Sequence, residues 1–227
     1  VIFNYIMIKH LIFDFDGVII DSEILAARAF DKVLKKMDIN HYTPQSIAAK
    51  YAGNKTIKVA KEISKIHKIS DHILLFNNVM RTVSTFFDKE LKAVEQIEDF
   101  LKKNDLEFYI GSNSGKQRII KGLKNVNLTK YFKSQNIYTF EMVEKPKPSP
   151  DIYLKIVENN NLKKDEVLVL EDSLPGVRSA IDAGLKVLGI VAASHWKNIS
   201  HQSLIDEGTF KIIKSYKDLD KTIKEIN

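Results

Sequence analysis

Short apolar runs alternating with helix-forming segments most narrow what this chain can fold into. Lys9–Phe15 is apolar nearly throughout and carries an acid at its end. Glu107–Gly111, Asn136–Phe140, Glu166–Leu170 and Leu185–Val191 have the same short, apolar character. Runs of this kind, without polar alternation, predict strands buried on both faces. Between them lie helical patterns: one over Lys116–Asn125, one opened by Pro150, one by Pro175. Proline suits a first helical turn, where its missing N–H costs nothing. Phe210–Ile213 and a helix from Tyr216 close the chain. This alternation predicts an α/β fold, a doubly wound parallel sheet with helices on both faces.

One stretch breaks the alternation. Residues 22–88 read as helix and follow the first strand directly. Ser22 is expected to cap the first of these helices, with Leu25, Ala29, Phe30, Val33, Leu34 and Met37 as its apolar face. So long a connection with its own helical pattern predicts an inserted cap. The expected division is a Rossmann-like core of residues 7–18 and 90–227 and a helical cap of 19–89. Met7 reads as a natural start, with Val1–Ile6 an upstream extension. The apolar N-terminal run is broken by Asn4, Lys9, His10 and Asp14, too soon for a membrane span. It also lacks a basic leading region and a small-residue cleavage site. A cytoplasmic protein is expected, with no membrane partner and monomeric by default.

Composition removes other classes. The 227 residues hold no cysteine, which excludes disulfides, thiolate metal sites and a thiol nucleophile. Net charge is +6, which raises the question of a nucleic-acid partner. Yet of 35 basic residues only Arg28, Arg81, Arg118 and Arg178 are arginine. Nucleic-acid contacts favour arginine, and here lysines and acids are interleaved along the whole chain. The excess charge is read as a solvated lysine surface, with no nucleic-acid role.

Open parallel sheets bind ligands beyond the carboxyl ends of their strands. Asp14 and Asp16 follow the first predicted strand, Ser112 and Asn113 the second, Lys145–Asp151 the third, Glu171 and Asp172 the fourth. Carboxylates gathered at one rim repel unless a cation joins them, and hard oxygen donors suit Mg²⁺. An aspartate can serve as nucleophile, and a second one as proton donor and acceptor. A lysine and a hydroxyl can hold phosphate oxygens. The set points to phosphoryl transfer through a covalent intermediate. Taken singly, each residue is as well explained as a turn, a cap or a surface charge. The order at successive strand ends gives the set its meaning.

The segments Phe13–Val18, Gly111–Asn113, Lys147–Asp151 and Glu171–Ser173 resemble the four motifs of the haloacid dehalogenase-like hydrolases. Asp21-Ser22-Glu23, Pro175-Gly176-Val177 and Asp182-Ala183-Gly184 resemble the subgroup with a helical cap after the first motif. That subgroup contains sugar-phosphate phosphatases, phosphoglycolate phosphatases and β-phosphoglucomutase. The resemblance runs from about Lys9 to Ile190. It implies Asp14 as nucleophile and metal ligand, and Asp16 as general acid and base whose carbonyl also meets the metal. It implies Asp172 as a direct Mg²⁺ ligand, with Glu171 behind it or acting through water. Ser112, the backbone beside Asn113 and Lys147 would hold the phosphoryl group. The register of the third motif selects Lys147 over Lys145.

Asp16 also discriminates within the family. The resembling dehalogenases and phosphonatases lack an acid there, so Asp16 implies phosphate-ester hydrolysis or mutase chemistry. Where β-phosphoglucomutase-like sequences carry a His and a cap Arg, this chain has Ala26 and Thr56. The expected activity is therefore a phosphatase for a small phosphorylated metabolite, a sugar or sugar-acid phosphate. The alternatives are a β-phosphoglucomutase-like mutase and a catalytically silent binding protein of the same fold. Gly53, Asn54 and Lys55 either face the substrate from the cap or simply form a turn. The six histidines, among them His195, show no metal spacing and are assigned to structure or surface, and Trp196 to packing.

Overall fold

The computed structural model describes residues 7–51, 55–197 and 199–227. Gly53 and Asn54 therefore lie outside the described residues, as do Val1–Ile6. The six strands are β1 (His10–Phe13), β2 (Glu107–Ser112), β3 (Ile137–Thr139), β4 (Val167–Glu171), β5 (Lys186–Ile190) and β6 (Lys211–Ile213). They form one parallel sheet in the order β3-β2-β1-β4-β5-β6. The sixth strand is three residues long and lies within the Phe210–Ile213 segment.

Between β1 and β2 the chain passes through α1 (Glu23–Lys35), α2 (Pro44–Tyr51), α3 (Thr56–His67), α4 (His72–Lys89) and α5 (Ile97–Lys103). Then follow α6 (Lys116–Asn125), α7 (Asp151–Asn159), α8 (Leu174–Asp182), α9 (Gln202–Asp206) and α10 (Tyr216–Ile226). Side chains alternate along the buried strands, which divides the core in two. Leu11, Phe13, Leu168 and Leu170 meet Phe100, Ile119, Leu123, Leu219 and Ile223 on one face. Ile12, Val167 and Val169 meet Ile152, Ile156, Val177, Ala180 and Leu204 on the other. Each central strand is thus sealed from water on both sides, as its apolar run demands.

The helices of the insertion share the first of these cores. Phe30, Ile47, Ile63, Val79 and Phe86 join the same continuous cluster as β1. Leu25, Ala29, Phe30, Val33 and Leu34 form the buried face of α1. Met37 does not belong to it: α1 stops at Lys35, Asp38 turns the backbone left-handed at φ 59°, and Met37 is exposed. Ser22 is not the side-chain cap the sequence suggests. Its backbone is already helical and its hydroxyl donates elsewhere, to Asp16. No helix among the described residues is long and apolar enough to cross a membrane.

The strand order turns back beside β1, which makes the crevice between β1 and β4 the place where loops part to opposite faces. Phe13 pairs with Ile110 of β2 and with Leu170 of β4. Asp14, the end of β2 and Glu171 therefore emerge side by side at the carboxyl edge.

Candidate active site

The residues at that edge form two networks that meet on the Asp14–Asp16 loop. Asp14 is seated against β4, its amide donating to Leu170 O at 2.9 Å. Lys147 Nζ donates to Asp14 Oδ1 at 2.7 Å and to Glu171 Oε1 at 2.5 Å. Both acids and the lysine are buried, with Lys147 7% exposed. Asp14, Glu171 and Asp172 each offer an oxygen within 4.8 Å of the others. Three carboxylates thus face one ammonium.

Burial pushes Asp14 well above the usual carboxylate range; Lys147 opposes this, and the Glu171 and Asp172 charges add to it. Burial and then the Glu171 charge raise Asp172 in the same way. Burial alone would pull Lys147 down, but Asp14 and Glu171 outweigh it and hold the amine protonated. The uncompensated negative charge and the all-oxygen donor set fit a hard divalent cation.

Several neighbours fix this cluster. Tyr153 on α7 donates its hydroxyl to Glu171 Oε1 at 2.6 Å, and its ring lies 4.8 Å from Lys147 Nζ. The other Glu171 oxygen accepts from the Ser173 hydroxyl at 3.1 Å and the Asp172 amide at 3.2 Å. Asn113 grips the Lys147 backbone twice at 3.0 Å, its amide accepting from the Lys147 N–H and donating to the Lys147 carbonyl. The Asn113 side chain therefore serves the lysine, which leaves only its backbone for a phosphoryl group. Lys145 is exposed, and its amide donates to Asp151 instead. Ser112 ends β2 buried, its Oγ accepting from the Ser114 amide at 3.1 Å.

Two glycines allow this packing. Gly17 has φ +81°, and a Cβ there would stand 1.9 Å from Asp172 Oδ2. A Cβ at Gly176 would stand 1.9 Å from the Glu171 carboxyl carbon. The sequence places both in motifs; the structure shows what they make room for.

Asp16 faces the other way. Ser22 Oγ donates to Asp16 Oδ1 at 2.5 Å, Arg118 Nη2 to the same oxygen at 2.7 Å, and Ser114 Oγ to Oδ2 at 2.5 Å. Burial works to raise its pKa, but the Arg118 charge and the hydrogen bonds from Arg118, Ser114 and Ser22 prevail and hold it below the ordinary value. Glu23, opening α1, is pushed up to about 7 by desolvation and by the Asp16 and Asp172 charges.

His195, assigned from sequence to structure or surface, stands at the site. Its Nε2 is 3.3 Å from Asp172 Oδ2. Burial holds its pKa below the ordinary value, with the Glu23 and Asp21 charges in opposition. Trp196 beside it also draws the Asp172 pKa down. Lys55, from the proposed cap turn, is exposed at the start of α3, where its carbonyl accepts from Lys58 N–H. Ser114, Arg118, Tyr153 and His195 are the site residues that motif reading passes over, and Ser22, though in a motif, reads as a helix cap and not as a partner of Asp16. One signal for Arg118 was present. A cation in the first turn of a helix opposes the helix dipole and asks for a fixed anion nearby.

A carboxylate at a sheet edge, a buried lysine against it and an unneutralised acidic cluster suit attack on a phosphorus centre. Known proteins similar to this chain agree. A family profile described as haloacid dehalogenase-like hydrolase matches residues 11–190. The 6-phosphogluconate phosphatase of Escherichia coli K12 is 25% identical over 195 residues, covering 86% of this chain and 87% of that protein. A phosphorylated carbohydrates phosphatase of Thermotoga maritima is 26% identical over 222 residues, covering 95% and 98%. The crystal structure of a conserved haloacid dehalogenase-like protein of Agrobacterium tumefaciens, ATU0790, superposes with a TM-score of 0.85 at 26% identity, covering 96% and 99%. With its parallel sheet, its helical insertion and its acidic rim, the chain belongs to the haloacid dehalogenase-like hydrolases and is a phosphoric monoester hydrolase.

Proposed function

We propose that the protein is a Mg²⁺-dependent phosphatase that hydrolyses a small sugar or sugar-acid phosphate through an aspartyl-phosphate on Asp14. The buried Lys147 bridge from Asp14 to Glu171 carries this reading, because it fixes a carboxylate and a cation together at the sheet edge. The sugar or sugar-acid class rests on relatives named for 6-phosphogluconate and for phosphorylated carbohydrates. Residues 19–89 act as a cap over the core of 7–18 and 90–227, and close the site to bulk water. Lys55 reaches toward substrate from the start of α3.

Asp14 attacks phosphorus as the ester P–O bond breaks, and Asp16, which leaves its donors and takes up a proton from solvent before the attack, gives that proton to the departing alkoxide. Asp16 then takes a proton from water as that water's oxygen attacks the phosphorus. Phosphate leaves and Asp14 is regenerated. Lys147, Ser112 and the backbone beside Asn113 hold the phosphoryl oxygens through both halves. Asp14, Asp172 and the Asp16 carbonyl would hold Mg²⁺, with Glu171 behind them; the ion would offset the charge of the acids and the phosphoryl group.

The test is phosphate release from 6-phosphogluconate, fructose 1-phosphate, glucose 6-phosphate, phosphoglycolate and nucleotides, with Mg²⁺ and after EDTA. Release from the sugar or sugar-acid esters is expected, lost with EDTA and restored by Mg²⁺. Asp14→Asn should lower it at least about 1000-fold with the circular dichroism spectrum unchanged. Full activity in that variant sinks the nucleophile. Interconversion of glucose 1-phosphate and glucose 6-phosphate would replace hydrolysis with mutase chemistry.

A further inference from the structure

The acid–base carboxylate of Asp16 stands outside the Asp14–Glu171–Asp172 group. Its three donors come from three separate places: Ser22 at the entry to α1, Ser114 on the loop after β2, and Arg118 in the first turn of α6. The same Arg118 guanidinium lies 4.3 Å from the centre of the Phe87 ring, in the last turn of α4. That turn is seated on one face of α6. Lys121 Nζ meets Asp88 at 2.5 Å, and Asn125 Nδ2 donates to the Phe87 carbonyl at 2.8 Å. A Cβ at Gly122 would stand 3.1 Å from the Phe87 ring. Residues 118, 121, 122 and 125 share a helical face, so one stripe of α6 holds both the end of the insertion and the acid–base residue.

We propose that Arg118 is a positioning residue that aims the Asp16 carboxylate and ties its aim to the seating of α4 on α6. The proposal rests on the phosphatase reading above. An ion pair with an arginine 39% exposed adds little stability by itself, so stability does not explain this one. Its place in the first turn of α6 also works against the helix dipole. The planar guanidinium lies on the Phe87 ring and at the same time donates to Asp16 Oδ1. Movement of the insertion shifts Phe87, and the arginine stacked on it, against the other two donors. Asp16 is thereby released from or returned to its resting direction as the insertion moves. In that resting direction all three donors are satisfied, and Lys147 is not among them.

The experiment compares wild type with Arg118→Met, Arg118→Lys and Phe87→Leu at saturating Mg²⁺. One substrate is p-nitrophenyl phosphate, whose leaving group departs without a proton. The other is a sugar phosphate, whose alkoxide needs one. For Arg118→Met, kcat on the sugar ester should fall about 10- to 100-fold with KM little changed, while the stopped-flow burst of nitrophenolate stays within about threefold of wild type. Arg118→Lys should recover part of the loss, and Phe87→Leu should fall in the same direction by less. Equal losses on both esters, no loss on either, or a change in KM alone would overturn the proposal. A crystal structure of Arg118→Met supplies a readout independent of turnover. Asp16 should leave Ser22 or Ser114 in it, and an unchanged Asp16 overturns the positioning role. If wild type releases phosphate from no ester, the phosphatase reading fails, and that structure still decides what Arg118 does to Asp16.

Discussion

Asp14 and Asp16 are two residues apart on one loop, yet their surroundings push them in opposite directions. Asp14 is buried among acids and rises above its ordinary range, with one lysine in partial opposition. Asp16 accepts from a guanidinium and two hydroxyls and sits below it. Paired carboxylates with diverging environments are how one fold separates two chemical roles. The side of the loop that meets Lys147 is buried and short of positive charge, which suits a nucleophile that shares a metal ion. The side that meets Arg118 touches the insertion and is balanced in charge. Asp16 rests there as an anion, and in the proposed mechanism it must leave its donors and take up a proton before it can hand one over. The described arrangement is therefore a resting one.

Truncating the cation on each side is the strongest way to break this comparison. Lys147→Ala leaves Asp14 and Glu171 buried and unpaired, and removing one partner of a buried ion pair costs about 3–5 kcal/mol. For a chain of this size that is a melting temperature lower by about 10 °C. Phosphate release should also fall at least about 100-fold, since the phosphoryl charge loses its lysine. Arg118→Met removes a half-exposed partner and should cost no more than about 1 kcal/mol of stability. Calorimetric melting of both variants decides the matter. If they melt alike, the two sides do not differ as described.

A smaller effect sharpens the same contrast from the metal side. Gly17→Ala drives a Cβ into Asp172 and forces a side chain at φ +81°. Mg²⁺ binding by titration calorimetry should weaken about 10- to 100-fold, the cost of disturbing a ligand's support. Ser114→Ala, on the Asp16 side, should leave that binding unchanged. Tight Mg²⁺ binding in Gly17→Ala would remove Asp172 from the ligand set.

The two sides were also unequally legible in the sequence. Parallel strands buried on both faces leave continuous apolar runs, so β1 to β5 could be read, even β3 with its three residues, and β6 falls within the Phe210–Ile213 segment that closes the alternation. A residue just beyond such a run has its place fixed by the strand itself. Asp14, Ser112, Glu171 and Asp172 could be set at one rim for that reason. Lys147 came from a motif, and the burial that makes it matter comes from Asn113 and Tyr153 gripping it from elsewhere in the chain. The Asp16 network depends on how α4 sits on α6, which no local pattern encodes. Ser22 shows the difference well. It looks like a helix cap, yet its hydroxyl is spent on Asp16.

Glu23 offers the finest probe, because it stands at the junction of both networks. Its pKa is pushed up to about 7, first by desolvation, then by the Asp16 and Asp172 charges, with His195 and Arg118 opposing. A folded-state value above the ordinary 4.5 means the native chain holds this proton more tightly than the unfolded chain. The contribution to stability is therefore fully present below about pH 4.5 and is lost as the pH rises through about 7. Acids crowd Glu23, but its own surface is exposed at the start of α1, so screening trims the effect to about 1–2 °C in melting temperature. Metal-free protein melted between pH 5 and 8 should lose that much stability with rising pH, and Glu23→Gln should lose less. Added Mg²⁺ should flatten the wild-type slope, because it offsets the Asp172 charge that helps to raise Glu23. A slope unchanged in Glu23→Gln would place the titrating charge wholly within the buried cluster, and would part the two networks that Glu23 is held to join.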